Sequence, residues 1–75
     1  MLYMSIQACL FDINEWITDE ARKFLKIHDI IPIKKFIKQY FLRYRILQPN
    51  YKKYVYRIKT IQKKPLIKFI FQYNK

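Results

Sequence analysis

The sequence predicts a small, mainly α or α+β domain in which two amphipathic helices precede a basic C-terminal hairpin or third helix. Three observations lead to this fold class. Apolar residues recur at spacings of three and four across residues 14–28 and again across residues 32–47, as they do on the buried face of a helix. From Tyr54 onward, apolar and polar residues alternate, which is typical of strands.

The length of the chain sets the scale of the fold. With 75 residues, it suffices for one small domain, and domains of this size bury only about 60% of the surface of the unfolded chain. Near its start, residues 2–10 alternate weakly between larger apolar side chains and the others. This pattern fits a short strand and equally a buried helical turn.

The first predicted helix covers residues 14–28. Its start is open to two interpretations, because Asp12 with Glu15, and Thr18 with the acids after it, both have the spacing of N-terminal capping residues. In a helix with the earlier start, Glu20 would project into the apolar stripe. The cap signals favour a start at Thr18. The alternative is that Glu20 pairs with a cation from the basic part of the chain.

The second predicted helix, residues 32–47, has the clearest pattern. Pro32 suits its first turn, and Pro49 lies just beyond its end. Leu42 and Ile46 lie four residues apart, on the side opposite the main apolar stripe. We therefore expect this helix to be covered on two sides, and we assign Leu42 and Ile46 to a protein interface.

The C-terminal part predicts two strands. One apolar run begins at Tyr54 and a second extends from Leu66 to Tyr73, with a polar break at residues 62–65. A third helix is the alternative, because tight hairpin turns usually contain glycine and the chain has none. Without glycine, any backbone position that needs a positive φ is expected to be Asn or Asp.

Charge is distributed unevenly along the single predicted domain, residues 1–75. Residues 1–29 contain all five acidic residues and three basic ones, a net charge of −2. Residues 30–75 contain ten lysines, three arginines and no acid, a net charge of +13. The same segment contains ten aromatic residues, which is too much apolar surface for a disordered tail. The asymmetry predicts a folded chain with a polyanionic partner.

Cations and aromatic residues are interleaved in the basic part, as in Arg43-Tyr44-Arg45. Lysine and arginine neutralise phosphates, and exposed aromatic rings stack on unpaired bases, which are more available in RNA than in duplex DNA. We therefore predict RNA as a partner. The predicted contacts to its phosphates are Lys34, Lys35, Lys38, Arg43, Arg45, Lys52, Lys53, Arg57, Lys59, Lys63, Lys64 and Lys68.

These features together predict a non-catalytic, RNA-binding structural component of a ribonucleoprotein. We expect a ribosomal or organellar-ribosomal accessory protein, for example in the mitochondrion, whose acidic N-terminal part contacts neighbouring proteins. One alternative is a minor structural or capsid-associated protein of a virion, for example of a large DNA virus. A small DNA-binding regulator is a further alternative.

Catalysis, cofactors and membranes find little support in the sequence. Cys9 and His28 are the only residues of their kinds, and such a pair lacks an orienting acid and falls short of a zinc site. The absence of glycine excludes Gly-rich phosphate loops. We therefore predict no enzyme, no cofactor and no small-molecule substrate. The longest uncharged stretch, residues 1–11, is too short to span a bilayer, and membrane-surface binding would leave Leu42 and Ile46 in water.

Overall fold

The computed structural model describes residues 4–75, which form one antiparallel sheet and one short helix. The elements are β1 (Met4–Asp12), α1 (Thr18–Ile27), β2 (Lys34–Ile37), β3 (Phe41–Arg45), β4 (Tyr54–Lys63) and β5 (Leu66–Asn74). The strands stand in the order β2-β3-β1-β5-β4. Helix α1 packs on one side of the sheet, the helix face, and we call the opposite side the open face.

The predicted mainly α fold is wrong, and so is its clearest helix, residues 32–47. This segment forms β2, a turn and β3, with Ile37 paired to Leu42. Leu42 and Tyr44 are buried on the helix face, while the residues between and beside them point to the open face. Leu42, which did not fit the helical stripe, thus belongs to a period of two. Strand β3 also supplies a hydrogen-bonded neighbour for β1, which a helix could not do.

Helix α1 begins at Thr18, which confirms the later of the two predicted starts and makes the helix shorter than expected. Its N-cap position is Ile17, which has no polar side chain. The Glu20 carboxylate caps the turn instead, because its Oε1 accepts a hydrogen bond from the Ile17 N–H at 3.3 Å. Asp12 lies outside this helix, where its Oδ1 accepts a hydrogen bond from the Asn14 N–H at 2.8 Å.

The C-terminal hairpin is confirmed, and the third helix is not present. Strands β4 and β5 pair antiparallel from Tyr54 with Asn74 at one end to Lys63 with Leu66 at the other. The turn between them contains a cis peptide bond before Pro65. A β-bulge near the turn end of β4 interrupts the pairing, so the strand is regular mainly over its first part.

The alternating N-terminal stretch forms strand β1 where the structure describes it, whereas Leu2 and Tyr3 lie outside the described residues. After α1, Asp29 has a φ of 55°, which confirms that aspartate adopts the backbone conformation otherwise favoured by glycine. The next N–H, of Ile30, donates to the carbonyl oxygen of Leu25 at 2.8 Å. Asp29 therefore ends α1 and turns the chain toward β2.

The main core lies between α1 and the helix face. Phe11 is fully buried there and meets Trp16, Phe24 and Tyr44 edge to face, with ring centroids 5.0, 5.7 and 5.7 Å away. This geometry is favourable for aromatic pairs. The indole N–H of Trp16 donates to the carbonyl oxygen of Leu66 at 3.1 Å. The loop before α1 is thereby tied to the first residue of β5.

The open face has a smaller apolar cluster of its own. Ala8, Leu10 and Ile70 are buried there, although α1 lies on the other side of the sheet. Phe41 and Tyr56 flank this cluster. Strand β1, the middle strand of the sheet, is therefore covered on both faces.

The connection from β3 to β4, residues 46–53, is held against one end of the sheet. The Ile46 N–H donates to the carbonyl oxygen of Gln7 at 2.8 Å, and Gln7 lies buried at a β-bulge of β1. Farther along, the Asn50 N–H donates to the hydroxyl oxygen of Tyr56 at 2.7 Å. Because Tyr56 lies on the open face, the connection borders that face.

The described core predicts a strong effect of shortening Phe11. We expect Phe11→Ala to lower the free energy of unfolding by about 3–5 kcal/mol, a large part of the roughly 5–15 kcal/mol of a typical domain. Ile27→Ala is the matched control, because Ile27 is 77% exposed and its truncation should change stability by about 0.5 kcal/mol or less. Urea denaturation followed by circular dichroism measures both, and equal losses would contradict the described core.

Candidate nucleic-acid interface

The open face combines basic and aromatic side chains. Paired residues on neighbouring strands share a face, so the strand registers define its membership. In the order β2, β3, β1, β5 and β4, its main strand residues are Lys34, Phe36, Phe41, Arg43, Arg45, Ala8, Leu10, Lys68, Ile70, Gln72, Tyr54, Tyr56, Ile58 and Thr60. Cations are concentrated on the β2–β3 side, and tyrosines lie on the β4 side.

The ring of Phe36 is surrounded by three cations. The Arg45 Cζ lies 4.8 Å from the ring centroid, and the Nζ atoms of Lys34 and Lys38 lie 5.1 and 5.3 Å from it. Each contact is within the range of a cation–π interaction. We call Phe36 with these three cations the Phe36 cluster. Because the ring attracts all three cations, it holds like charges together that would otherwise repel each other.

A cleft adjoins the Phe36 cluster where the β3–β4 connection borders the sheet. Its volume is about 190 Å³. The Nε atoms of Arg43 and Arg45 are buried and have no hydrogen-bond partner within residues 4–75. The Arg45 Nη1 donates only a long hydrogen bond, 3.4 Å, to Oε1 of Gln48. The cleft lining is Phe36, Lys38, Arg43, Arg45, Pro49 and Tyr51.

Tyr51 presents an aromatic ring to solvent at the edge of this cleft. It is 69% exposed and packs against Tyr56, with ring centroids 5.2 Å apart and an interplanar angle of 66°. The hydroxyl of Tyr56 donates to Oε1 of Gln72 at 3.3 Å, which fixes the supporting ring. Tyr51 is therefore an exposed aromatic side chain that is supported by the fixed ring of Tyr56.

The acidic side chains leave these cations largely uncompensated. Glu15 accepts a hydrogen bond from the Leu66 N–H at 2.9 Å, and Asp12 and Glu20 accept backbone N–H groups as described above. Of these three, only Asp12 lies at the rim of the open face, paired with Phe41. The two remaining acids of the chain lie in α1 and just after it. Positive charge on the open face is thus available to an external anion.

Five of the sequence-predicted contacts are brought together on or beside the open face. Lys34, Arg43 and Arg45 lie on the β2–β3 side, and Lys38 follows β2 and reaches the Phe36 cluster. Lys68 lies across the sheet on β5, with its Nζ 5.7 Å from the ring centroid of Phe41. These residues form one basic surface, which the sequence could not delimit.

Other predicted contacts lie elsewhere. The Lys35 Nζ donates to Oγ1 of Thr18 at 3.4 Å on the helix face. The Lys59 Nζ lies 5.8 Å from the ring centroid of Phe71, and the register places Arg57 opposite Phe71 on that same face. The remaining predicted cations belong to the turn before β4 or to the far end of the β4–β5 hairpin; they are Lys52, Lys53, Lys63 and Lys64.

The predicted protein interface at Leu42 and Ile46 needs correction. Leu42 is buried in the main core, and Ile46 packs against the same cluster. Both side chains lie on the helix face, because the segment is a strand instead of a helix with two apolar sides. They contact the interior of their own chain.

Two residues of the surface were missed as individual contacts. Phe36 organises three cations and Tyr51 is exposed, yet neither residue was predicted as a contact. The signal was a period of two: Lys34, Phe36 and Lys38 are spaced two apart, as are Phe41, Arg43 and Arg45. Helical spacing in the same segment obscured it.

The two groups considered for catalysis lie in different environments. Burial raises the pKa of the Cys9 thiol to about 12, which keeps it protonated and unreactive at neutral pH. His28 follows α1 and packs on Phe24, with ring centroids 4.4 Å apart. Burial also raises the pKa of Tyr44. Within residues 4–75, no group of three His, Cys, Asp or Glu side chains is arranged to hold a metal ion.

The helix content of residues 4–75 includes no segment with the length and apolar character that a membrane crossing requires. Comparison with known proteins finds no matching family model, curated protein or solved structure. The geometry and charge of the open face are therefore the basis for a functional assignment.

Proposed function

We propose that the chain is a non-catalytic protein that binds single-stranded RNA on its open face. The observation that carries this proposal is the Phe36 cluster with its adjoining cleft. Three cations surround one ring, and two arginine Nε atoms at the cleft have no partner within the described chain. An anion that entered the cleft would reduce the repulsion between these charges.

The arrangement favours a strand that runs with its phosphates along the β2–β3 side. Arg43 and Arg45 can donate directed hydrogen bonds to phosphate oxygens, and Lys34 and Lys38 act as point charges. Phe36 is occupied by its cations, so its ring is not free to stack on a base. Tyr51 is the exposed ring next to the cleft, and it supplies the stacking surface.

Unpaired bases are needed for this mode of binding, because a ring cannot stack on a base that is inside a duplex. RNA loops and single-stranded segments offer such bases, and RNA-binding sheets use aromatic side chains for this purpose. We therefore propose RNA over duplex DNA. The DNA-regulator alternative loses its basis, since it required a groove-binding helix at residues 32–47.

At the level of the assembly, we propose a structural component of a ribonucleoprotein, of the ribosomal or organellar-ribosomal kind. The net charge of +11 and the separation of the basic open face from the acids of α1 support this role. The capsid alternative relied on an apolar second face at Leu42 and Ile46, whereas Leu42 is buried in the core and the partly buried Ile46 packs against it.

The phosphate contacts can be tested by salt dependence. The test variant combines Lys34→Gln, Lys38→Gln, Arg43→Gln and Arg45→Gln. We expect weaker binding to a labelled single-stranded RNA and a smaller slope of log K against log salt, by about 0.7 for each phosphate that the variant no longer neutralises. Fluorescence anisotropy at several salt concentrations measures both quantities.

The matched control for this experiment removes the same charge from other surfaces: Lys35→Gln, Arg57→Gln, Lys59→Gln and Lys64→Gln. It should change the salt slope much less than the open-face variant. Equal slopes for the two variants would contradict the proposed site, because net charge alone would then explain binding. Circular dichroism confirms that both variants are folded.

Base stacking on Tyr51 gives an independent test. Stacking contributes about 1–3 kcal/mol per base, so we expect Tyr51→Ala to weaken RNA affinity by about 5- to 150-fold without changing the salt slope. Tyr40→Ala is the control, because Tyr40 is also exposed but lies in the β2–β3 turn. Unchanged affinity of Tyr51→Ala would show that this ring does not stack on a base.

The assembly itself can be identified in the native source by gradient sedimentation of the tagged protein, with and without ribonuclease. We expect cosedimentation with a large particle that ribonuclease disperses, since RNA phosphates hold the protein in it. A large particle that ribonuclease leaves intact would contradict the ribonucleoprotein role. A separate competition experiment with the purified protein checks the proposed preference for single-stranded RNA. Its competitors are duplex RNA and single-stranded DNA.

A further inference from the structure

Strand β4 has an unpaired outer edge. It is ten residues long, Tyr54–Lys63, and stands at the end of the strand order, where residues 4–75 provide no partner beyond β5 on its other side. An edge strand exposes a row of backbone N–H and C=O groups that can pair with another strand. The edge strand at the opposite end of the sheet, Lys34–Ile37, is only four residues long.

The side chains of β4 are unusually apolar for an exposed edge. Val55, Ile58 and Ile61 are all exposed, with Ile58 at 62%. Natural edge strands are commonly protected by charge, by bulges or by their short length. Here the bulge falls between Thr60 and Gln62, which leaves Tyr54–Thr60 as a regular segment available for pairing.

On the helix face, β4 lies outside the area that α1 covers. A cleft of about 360 Å³ lies there, lined by Val55, Arg57, Lys59, Tyr73 and Asn74. Its lining has apolar side chains, Val55 and Tyr73, at one end and two basic side chains, Arg57 and Lys59, at the other. A strand added to the edge would place alternate side chains over this cleft.

A second copy of the chain is a poor occupant of this edge. In an antiparallel pair centred on Ile58, Arg57 of each copy would stand opposite Lys59 of the other. Centring the pair on Arg57 or on Lys59 would place that residue opposite itself. Like charges directly opposite each other destabilise a strand pair, whereas opposite charges stabilise it. The charge pattern therefore disfavours self-pairing and favours an acidic strand.

We propose that the outer edge of β4 binds an extended acidic segment of a partner protein as a sixth strand of the sheet. The carboxylates of that segment contact Arg57 and Lys59, and an apolar side chain occupies the cleft beside Val55 and Tyr73. Backbone pairing requires another polypeptide, so RNA cannot satisfy this edge. The site is separate from the open-face cations and does not depend on the proposed RNA binding.

The test uses capped seven-residue peptides matched in length to Tyr54–Thr60, with glutamate, glutamine or lysine at positions two and four, valine at position six and threonine elsewhere. In an antiparallel pair, positions two, four and six share one face and stand opposite Lys59, Arg57 and Val55. We expect affinity in the order glutamate, glutamine, lysine, and slower amide hydrogen exchange in β4 when the glutamate peptide is bound. Methylation of the peptide backbone nitrogens should abolish binding, because the ladder hydrogen bonds cannot form. Equal affinities of the three peptides, or full binding of the methylated one, would overturn the proposal.

The charge contacts are tested with the double variant Arg57→Gln and Lys59→Gln. Two cross-strand charge pairs predict a loss of about 2- to 30-fold in affinity for the glutamate peptide. The control, Lys63→Gln with Lys64→Gln, removes the same charge beyond the bulge and should leave that affinity unchanged. Equal losses in the two variants would overturn the proposal. So would slower amide hydrogen exchange in β2 instead of β4 when the peptide is bound. A dimer of the free protein in sedimentation, with slow amide exchange in β4, would also overturn it.

Discussion

Burial of β1 on both faces is the constraint on which the rest of the structure depends. Its residues from Gln7 to Phe11 are all buried, with Cys9 and Phe11 toward the helix and Ala8 and Leu10 toward the open face. A strand of this kind needs a hydrogen-bonded neighbour on each side and a cover over each face. Strands β3 and β5 are the neighbours, and α1 covers one face. The other face is covered only by side chains of the surrounding strands.

The open face is suitable for binding because only a small part of it is needed to cover β1. Because Ala8 and Leu10 present little apolar surface together, residues such as Phe41 and Tyr56 can shield them without a second helix. The surrounding positions are then free for cations. Carboxylates accept hydrogen bonds from backbone N–H groups, as Glu15 does from Leu66, instead of neutralising those cations. Five cations of the basic part thus gather on or beside the open face, whereas Lys35, Arg57 and Lys59 lie on the helix face.

The sequence predicted the parts of this fold that depend on local chemistry. It favoured Thr18 over an earlier start of α1, a C-terminal hairpin over a third helix, and Asp or Asn for positive φ, because acidic first-turn residues, strand alternation and the lack of glycine act within a few residues. It failed over residues 32–47, where aromatic spacing fits a helix and a strand equally, and the need of β1 for a neighbour decided between them. The cations of the site were predicted by type, but their grouping around Phe36 depends on strand register, which is set by partners distant in sequence.

The pairing of β1 with β5 also determines when this chain can fold. Ile6 is paired with Phe71, so the middle of the sheet joins segments from opposite ends of the described chain. Closing so large a loop is entropically unfavourable, and folds rich in such pairings form slowly. During synthesis, β1 lacks one of its two neighbours until β5 has left the ribosome. The basic segments that precede β5 therefore emerge before the sheet is complete, and any RNA nearby meets them before β1 has its second neighbour.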